Sequence, residues 1–154
     1  MQINTRLFGE IEIEKEKIIC FENGIIGFPE CRNFILIFDE AEDGTKKSIC
    51  WLQSIEEPEL ALTVIDPLLI KPDYAPKVED AFLKNLGEFT PDTTYVLVTV
   101  TVPKDIKKLS ANLKAPIVIN TVSRRARQLI VEENVPVKYM IYELLQSQKE
   151  TGGE

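Results

Sequence analysis

Histidine is absent from the 154 residues of this chain, and that one absence removes a wide range of chemistry. A Ser-His-Asp or Cys-His nucleophile pair, a His-ligated metal and a His-based pH switch are all excluded. Cysteine is scarce too: Cys20, Cys31 and Cys50 are odd in number and never stand in a C-x-x-C spacing. That pattern argues against a disulfide framework and gives no zinc motif. Cys20 and Cys50 each lie between apolar neighbours, which reads as buried, inert thiols. No apolar run approaches the ~20 residues needed to span a bilayer. The opening MQINTRLFGEIEIEKEK has no basic stretch followed by an apolar one, so no secretory signal is expected and the expected location is the cytoplasm.

What is present is the composition of an ordinary globular protein, 44% hydrophobic and 28% charged. The length suits one domain, expected over residues 1–147, with 148–154 as a flexible tail. The net charge of −7 disfavours a nucleic-acid or anionic-membrane binder. The charge is also unevenly spread. Residues 1–60 hold 13 acids against 6 bases, whereas residues 91–154 hold 7 against 9. The acidity is thus an N-terminal property, suited to a basic partner.

Period-2 alternation dominates the chain. Residues 9–16 set Ile11 and Ile13 against Glu10, Glu12, Glu14 and Glu16, and a strand at 2–7 precedes them. Further strands are expected at 34–38, 48–53, 60–65, 94–102, 115–120 and 126–131. Helical spacing is seen at 73–86 and again in Val137, Met140, Ile141, Leu144 and Leu145. The pattern predicts a mainly β single domain, a sandwich or a small barrel, with one or two short helices.

No constellation of catalytic residues emerges. The acid pairs at 39–40, 42–43 and 56–57 are loop positions without a tuning neighbour. Asp66 before Pro67 is the best lone candidate, and capping a turn explains it more simply. Gly24 and Gly27 lack the Lys-Ser/Thr of a phosphate loop and read as positive-φ positions, in a loop whose Ile25, Ile26 and Phe28 would offer an interaction surface. Arg124, Arg125 and Arg127 form the one dense basic cluster, better read as local charge balance than as an RNA contact. No cofactor or metal is expected.

Three segments, in order, carry a family resemblance. Phe21-Glu22-Asn23-Gly24-Ile25-Ile26-Gly27-Phe28 resembles an F-x-x-G-I-x-G-F signature. Trp51-Leu52-Gln53-Ser54, Pro58, Ile65-Asp66-Pro67 and Pro72-Asp73-Tyr74 follow an L-Q-S…P…D-P…P-D-Y pattern. The segment Ala111-Asn112-Leu113-Lys114-Ala115-Pro116-Ile117-Val118-Ile119-Asn120 matches A-N-L-x-A-P-I-x-I-N. Together they resemble the FliW family of flagellar assembly factors, over residues 1–142.

The resemblance implies a compact β-barrel-like fold and a partner switch without catalysis. Such proteins bind flagellin in the cytoplasm. When flagellin is exported they bind the translational repressor CsrA and antagonise it allosterically, away from its RNA surface, which lifts repression of flagellin mRNA. A repressor of RNA must be basic, so charge assigns Glu10, Glu12, Glu14, Glu16 and Glu30 to the side facing CsrA. For flagellin the candidates are motif residues that a bare fold does not demand: Trp51, Gln53, Tyr74, Asn112 and Asn120. Asn112 and Asn120 also suit turn-forming roles. With proteins as its partners, the free chain is expected to be a monomer that contacts neither nucleic acid nor membrane. The rival readings are a flagellin export chaperone without regulatory activity and an RNA-binding barrel.

Overall fold

The structure is a computed structural model, and it describes residues 2–6, 8–22, 24–40, 46–74, 93–131 and 134–145, with backbone alone at 38–40 and 46–48. Within these residues the alternating segments become eleven strands. They are β1 (Gln2–Thr5), β2 (Gly9–Glu12), β3 (Ile19–Phe21), β4 (Asn33–Glu40), β5 (Lys46–Ser54), β6 (Ala61–Ile65), β7 (Thr94–Thr101), β8 (Ser110–Ala111), β9 (Ile117–Asn120), β10 (Arg125–Gln128) and β11 (Tyr139–Met140).

Seven of them close on themselves in the order β7-β6-β5-β4-β3-β10-β9, and β9 pairs back onto β7. Each contact in the ring is antiparallel except β10 with β3, where Arg125 and Ala126 run parallel to Cys20 and Phe21. The closed ring settles the choice between sandwich and barrel in favour of the barrel. Strands β8 and β11 extend the sheet beyond β7, and β1 with β2 forms a separate hairpin.

Alternation decides what each face of the ring meets. Phe21, Phe34, Leu52, Val64, Leu97, Ile117 and Ile119 point inward and form one buried cluster, with the Phe21 and Phe34 rings edge to face at 5.3 Å. Each such side chain contributes roughly 1.5–3 kcal/mol through burial. The opposite parity of β6 and β7, Ile65, Val98 and Val100, points outward. It is covered by Ile70, Tyr74, Leu109, Leu113 and Ile141 in a second cluster. The barrel is therefore packed on both faces along this side, which explains the continuous apolar run at 95–98 in β7.

Four expectations need correction. The strand expected at 9–16 stops at Glu12, and a 3-10 turn over Lys15–Lys17 follows, because Ile13 turns into the interior. The strand expected at 126–131 is β10 and ends at Gln128, and Arg124 sits at φ 60 in the turn before it, its N–H donating to the Asn120 carbonyl and its own carbonyl accepting from Cys20 N–H. The stripe from Val137 to Leu145 is not one helix. Tyr139 and Met140 pair with β8, and helical backbone begins only at 142, so Val137 and Met140 stay exposed. Ile25 is buried, which leaves Ile26 and Phe28 as the exposed apolar residues of the glycine loop. The helix expected at 73–86 falls almost entirely on 75–92, and the tail at 148–154 likewise lies outside the described residues.

Candidate functional site

The hairpin is built to hold an acidic face outward. Gly9, at φ 67, turns the chain, with the Thr5 hydroxyl donating to the Gly9 carbonyl (2.9 Å) and accepting from Phe8 N–H (2.9 Å). Register pairs Glu12 with Gln2 and Glu10 with Asn4, while Ile3 faces Ile11 on the other side. Glu10 and Glu12 are therefore exposed neighbours on one face. The Phe8 ring meets Trp51 of β5 edge on at 5.6 Å. Arg6 donates from its backbone to the Pro58 carbonyl (3.3 Å) and from Nε to the Glu59 carbonyl (3.2 Å). These contacts fix the hairpin beside the loop between β5 and β6.

That loop adds two exposed acids that the sequence alone did not place in the face, Glu57 and Glu59. Their signal was the acid run around Pro58; only the Arg6 contacts show that it adjoins the hairpin. Glu56 belongs to the frame instead, its carboxylate accepting from Arg32 N–H, Asn33 N–H and Asn33 Nδ2. Of the other candidates, Glu14 is exposed and paired with Lys17 at 3.2 Å, and Glu16 is exposed in the 3-10 turn. Glu30 is exposed in a different loop, just before β4. The glutamates thus do not form one continuous ladder.

The residues assigned to flagellin are mostly consumed by the fold. Gln53 is fully buried, and its amide nitrogen donates to the carbonyls of Ser54, Pro58 and Leu60 at 3.0 to 3.1 Å. Asn120 is buried, with Oδ1 accepting from Val122 and Ser123 N–H in the turn to β10. Tyr74 is buried and its hydroxyl donates to the Leu113 carbonyl at 2.6 Å. The Asn112 side chain accepts from Lys114 N–H at 3.0 Å. Trp51 and Asn112 are half-buried, so they are the members of this set with surface to offer.

The remaining candidates resolve into local structure. Asp66 accepts from Leu68 N–H at 3.0 Å and caps the 3-10 turn at Pro67–Leu69. Gly24 and Gly27 take φ 69 and 93, and a Cβ on Gly24 would stand 2.5 Å from the Pro29 carbonyl oxygen. Ile26 N–H in this loop donates to Gln128 Oε1 at 2.8 Å, which anchors it to β10. Burial, then the nearby Cys50 and Asp66, push the Tyr95 hydroxyl up to about 12. The half-buried Lys71 and the exposed Asp73, 2.9 Å apart, share a hydrogen bond that raises the lysine and lowers the carboxyl. Among the described residues no group of three or more His, Cys, Asp or Glu is placed to hold a metal ion, and no helix is long and apolar enough to cross a membrane.

This fold and sequence have counterparts among known proteins. The family model described as FliW protein matches residues 2–141. The chain belongs to the FliW family. The flagellar assembly factor FliW of Lachnoclostridium phytofermentans is 42% identical, covering 100% of this chain and 99% of its own. That of Lachnospira eligens is also 42% identical, over 97% and 99% respectively. A crystal structure of the flagellar assembly factor FliW superposes with a TM-score of 0.82 at 32% identity, covering 92% of this chain and 96% of the other. In FliW terms, the first motif is the end of β3 and the glycine loop, and the last runs from β8 through β9. Both are parts of the frame.

Proposed function

We propose that this chain is a non-enzymatic, cytoplasmic flagellar assembly factor that acts by binding flagellin and, when free of it, the repressor CsrA. Occupied by flagellin, it leaves CsrA free to repress flagellin mRNA. Released by flagellin export, it binds CsrA away from the RNA surface and antagonises it allosterically. The observation that carries this reading is the FliW family match along residues 2–141. The exposed acids on the hairpin and the adjoining loop support the CsrA half, since an RNA-binding protein is basic and complementary charge speeds its encounter.

Such a switch requires balance. One partner displaces the other only when their affinities, weighted by concentration, differ by a few kcal/mol at most, each ~1.4 kcal/mol being tenfold. The free protein is a monomer in this scheme and contacts neither nucleic acid nor membrane.

Calorimetric titration of RNA-free CsrA with this protein, repeated in the presence of flagellin, tests it. Saturable binding that flagellin abolishes is the expected result. No binding to CsrA alone would reduce the function to that of a flagellin chaperone.

A further inference from the structure

We infer that the β7–β8 turn and β11 together form a second protein-docking surface, which takes an acidic amphipathic segment of a partner. Strand β8 joins two distant pieces of chain, pairing Thr101 with Ser110 on one side and Met140 with Ser110 on the other. Ile141 N–H donates to the Leu109 carbonyl at 3.0 Å, which brings the β7–β8 turn beside the chain leaving β11. One face of this three-stranded flap, Val100, Ala111 and Tyr139, closes the outer core. The other face carries Met140, 53% exposed, and the turn adds Val102 and Ile106 at 54% and 47%.

These side chains are not loose ends. The Asp105 carboxylate accepts from Lys107 N–H at 3.2 Å, and Leu109 N–H donates to the Ile106 carbonyl, so a 3-10 turn holds Ile106 outward. Apolar side chains held in contact with water by ordered backbone mark an interaction site more than scattered surface residues do.

Charge defines the occupant. Lys104, Lys107 and Lys108 on the turn and Lys138 just before β11 are exposed, and among the described residues they make no ion pair. In a chain of net charge −7 this is a local reversal of sign, opposite to that of the hairpin. An apolar centre with a cationic rim complements a segment whose apolar stripe is flanked by carboxylates. The same chemistry would suit an anionic bilayer, but an extended anionic surface is repelled by the net charge of −7 of the whole chain, whereas a short segment engages only the local cationic rim.

Fluorescence anisotropy with a labelled amphipathic peptide of about 18 residues, leucines at helical spacing and glutamates on the flanks, tests the surface directly. Its lysine-flanked counterpart is the control. The wild-type protein should bind the acidic peptide at least about tenfold more tightly than the basic one at low salt, with the gap narrowing as salt rises. The triple variant Lys104→Glu, Lys107→Glu, Lys108→Glu should abolish that preference, and Ile106→Ser with Met140→Ser should speed dissociation. Circular dichroism melts confirm that the variants are folded. Equal binding of the two peptides, no loss on charge reversal, or tighter binding to phosphatidylglycerol vesicles than to the peptide would each overturn the inference.

Naming flagellin as the owner of this segment rests on the proposed function, and a parallel flagellin titration separates the two. Failure of wild type to bind flagellin counts against the function. Flagellin binding by wild type that survives the triple reversal counts against the surface.

Discussion

The segment from β8 through β9 and the hairpin of β1 and β2 are used in opposite ways. The first holds the most specific family motif, and its side chains are spent inward: Ala111, Leu113, Ile117 and Ile119 fill the two cores, and Asn120 fastens a turn. The hairpin holds no motif residue, yet it turns Glu10 and Glu12 to water and is held by its Phe8 and Arg6 contacts. The motif residues of this segment specify a frame, while the exposed charges of the hairpin lie outside the motifs.

If that division is right, substitutions in the frame should cost stability, and those on the hairpin should cost binding. Phe34→Ala should have the largest effect, about 3–5 kcal/mol in denaturant unfolding, because it opens a cavity against Phe21 at the centre of the ring. Gly24→Ala should follow at about 2 kcal/mol or more, since the added methyl meets the Pro29 backbone and φ 69 is strained for alanine. Asn120→Ala, which leaves two turn N–H groups unsatisfied, should cost about 1–2 kcal/mol in the same assay. Glu10→Gln with Glu12→Gln should change stability by less than about 0.5 kcal/mol. That double variant should nevertheless slow association with CsrA in a low-salt stopped-flow measurement. An unchanged association rate would remove the hairpin from the binding side.

A fifth, smaller effect depends on pH. The Tyr95 hydroxyl is pushed up to about 12 in the fold, above the ordinary value of 10.0, so the folded state favours its neutral form. Its contribution is therefore fully present below pH 10 and is lost as pH rises from 10 towards 12. Tyr95→Phe should flatten the fall in melting temperature over that alkaline window.

Much of the frame was legible because strand alternation is local. The β-branched run of β7 and the apolar run of β4 each announce themselves within eight residues. Closure was not legible. Nothing near Cys20 or Arg125 indicates that they run parallel, since that register depends on the stagger of the whole ring. The helical spacing at 137–145 misled because pairing with β8 outweighs the propensity of so short a segment. In the candidate site, the sign of the charge could be read but its arrangement could not. Glu57 and Glu59 join the hairpin only through Arg6, and Lys138 joins the 104–108 lysines only through β8. Gln53 and Tyr74 looked like contact residues because their polar ends, satisfied by backbone carbonyls, leave no mark in the sequence.

The parallel joint between β3 and β10 also orders events in time. Synthesis delivers β3 within the first 21 residues, but its second neighbour does not exist until Gln128 has been made. Until then the emerging half-barrel carries a bare strand edge and an uncovered apolar lining. Its final seal must wait for a loop of roughly a hundred residues to close, which places it with the slower, non-local folders. For a ribosome making this chain, the hazardous interval ends with the tenth strand.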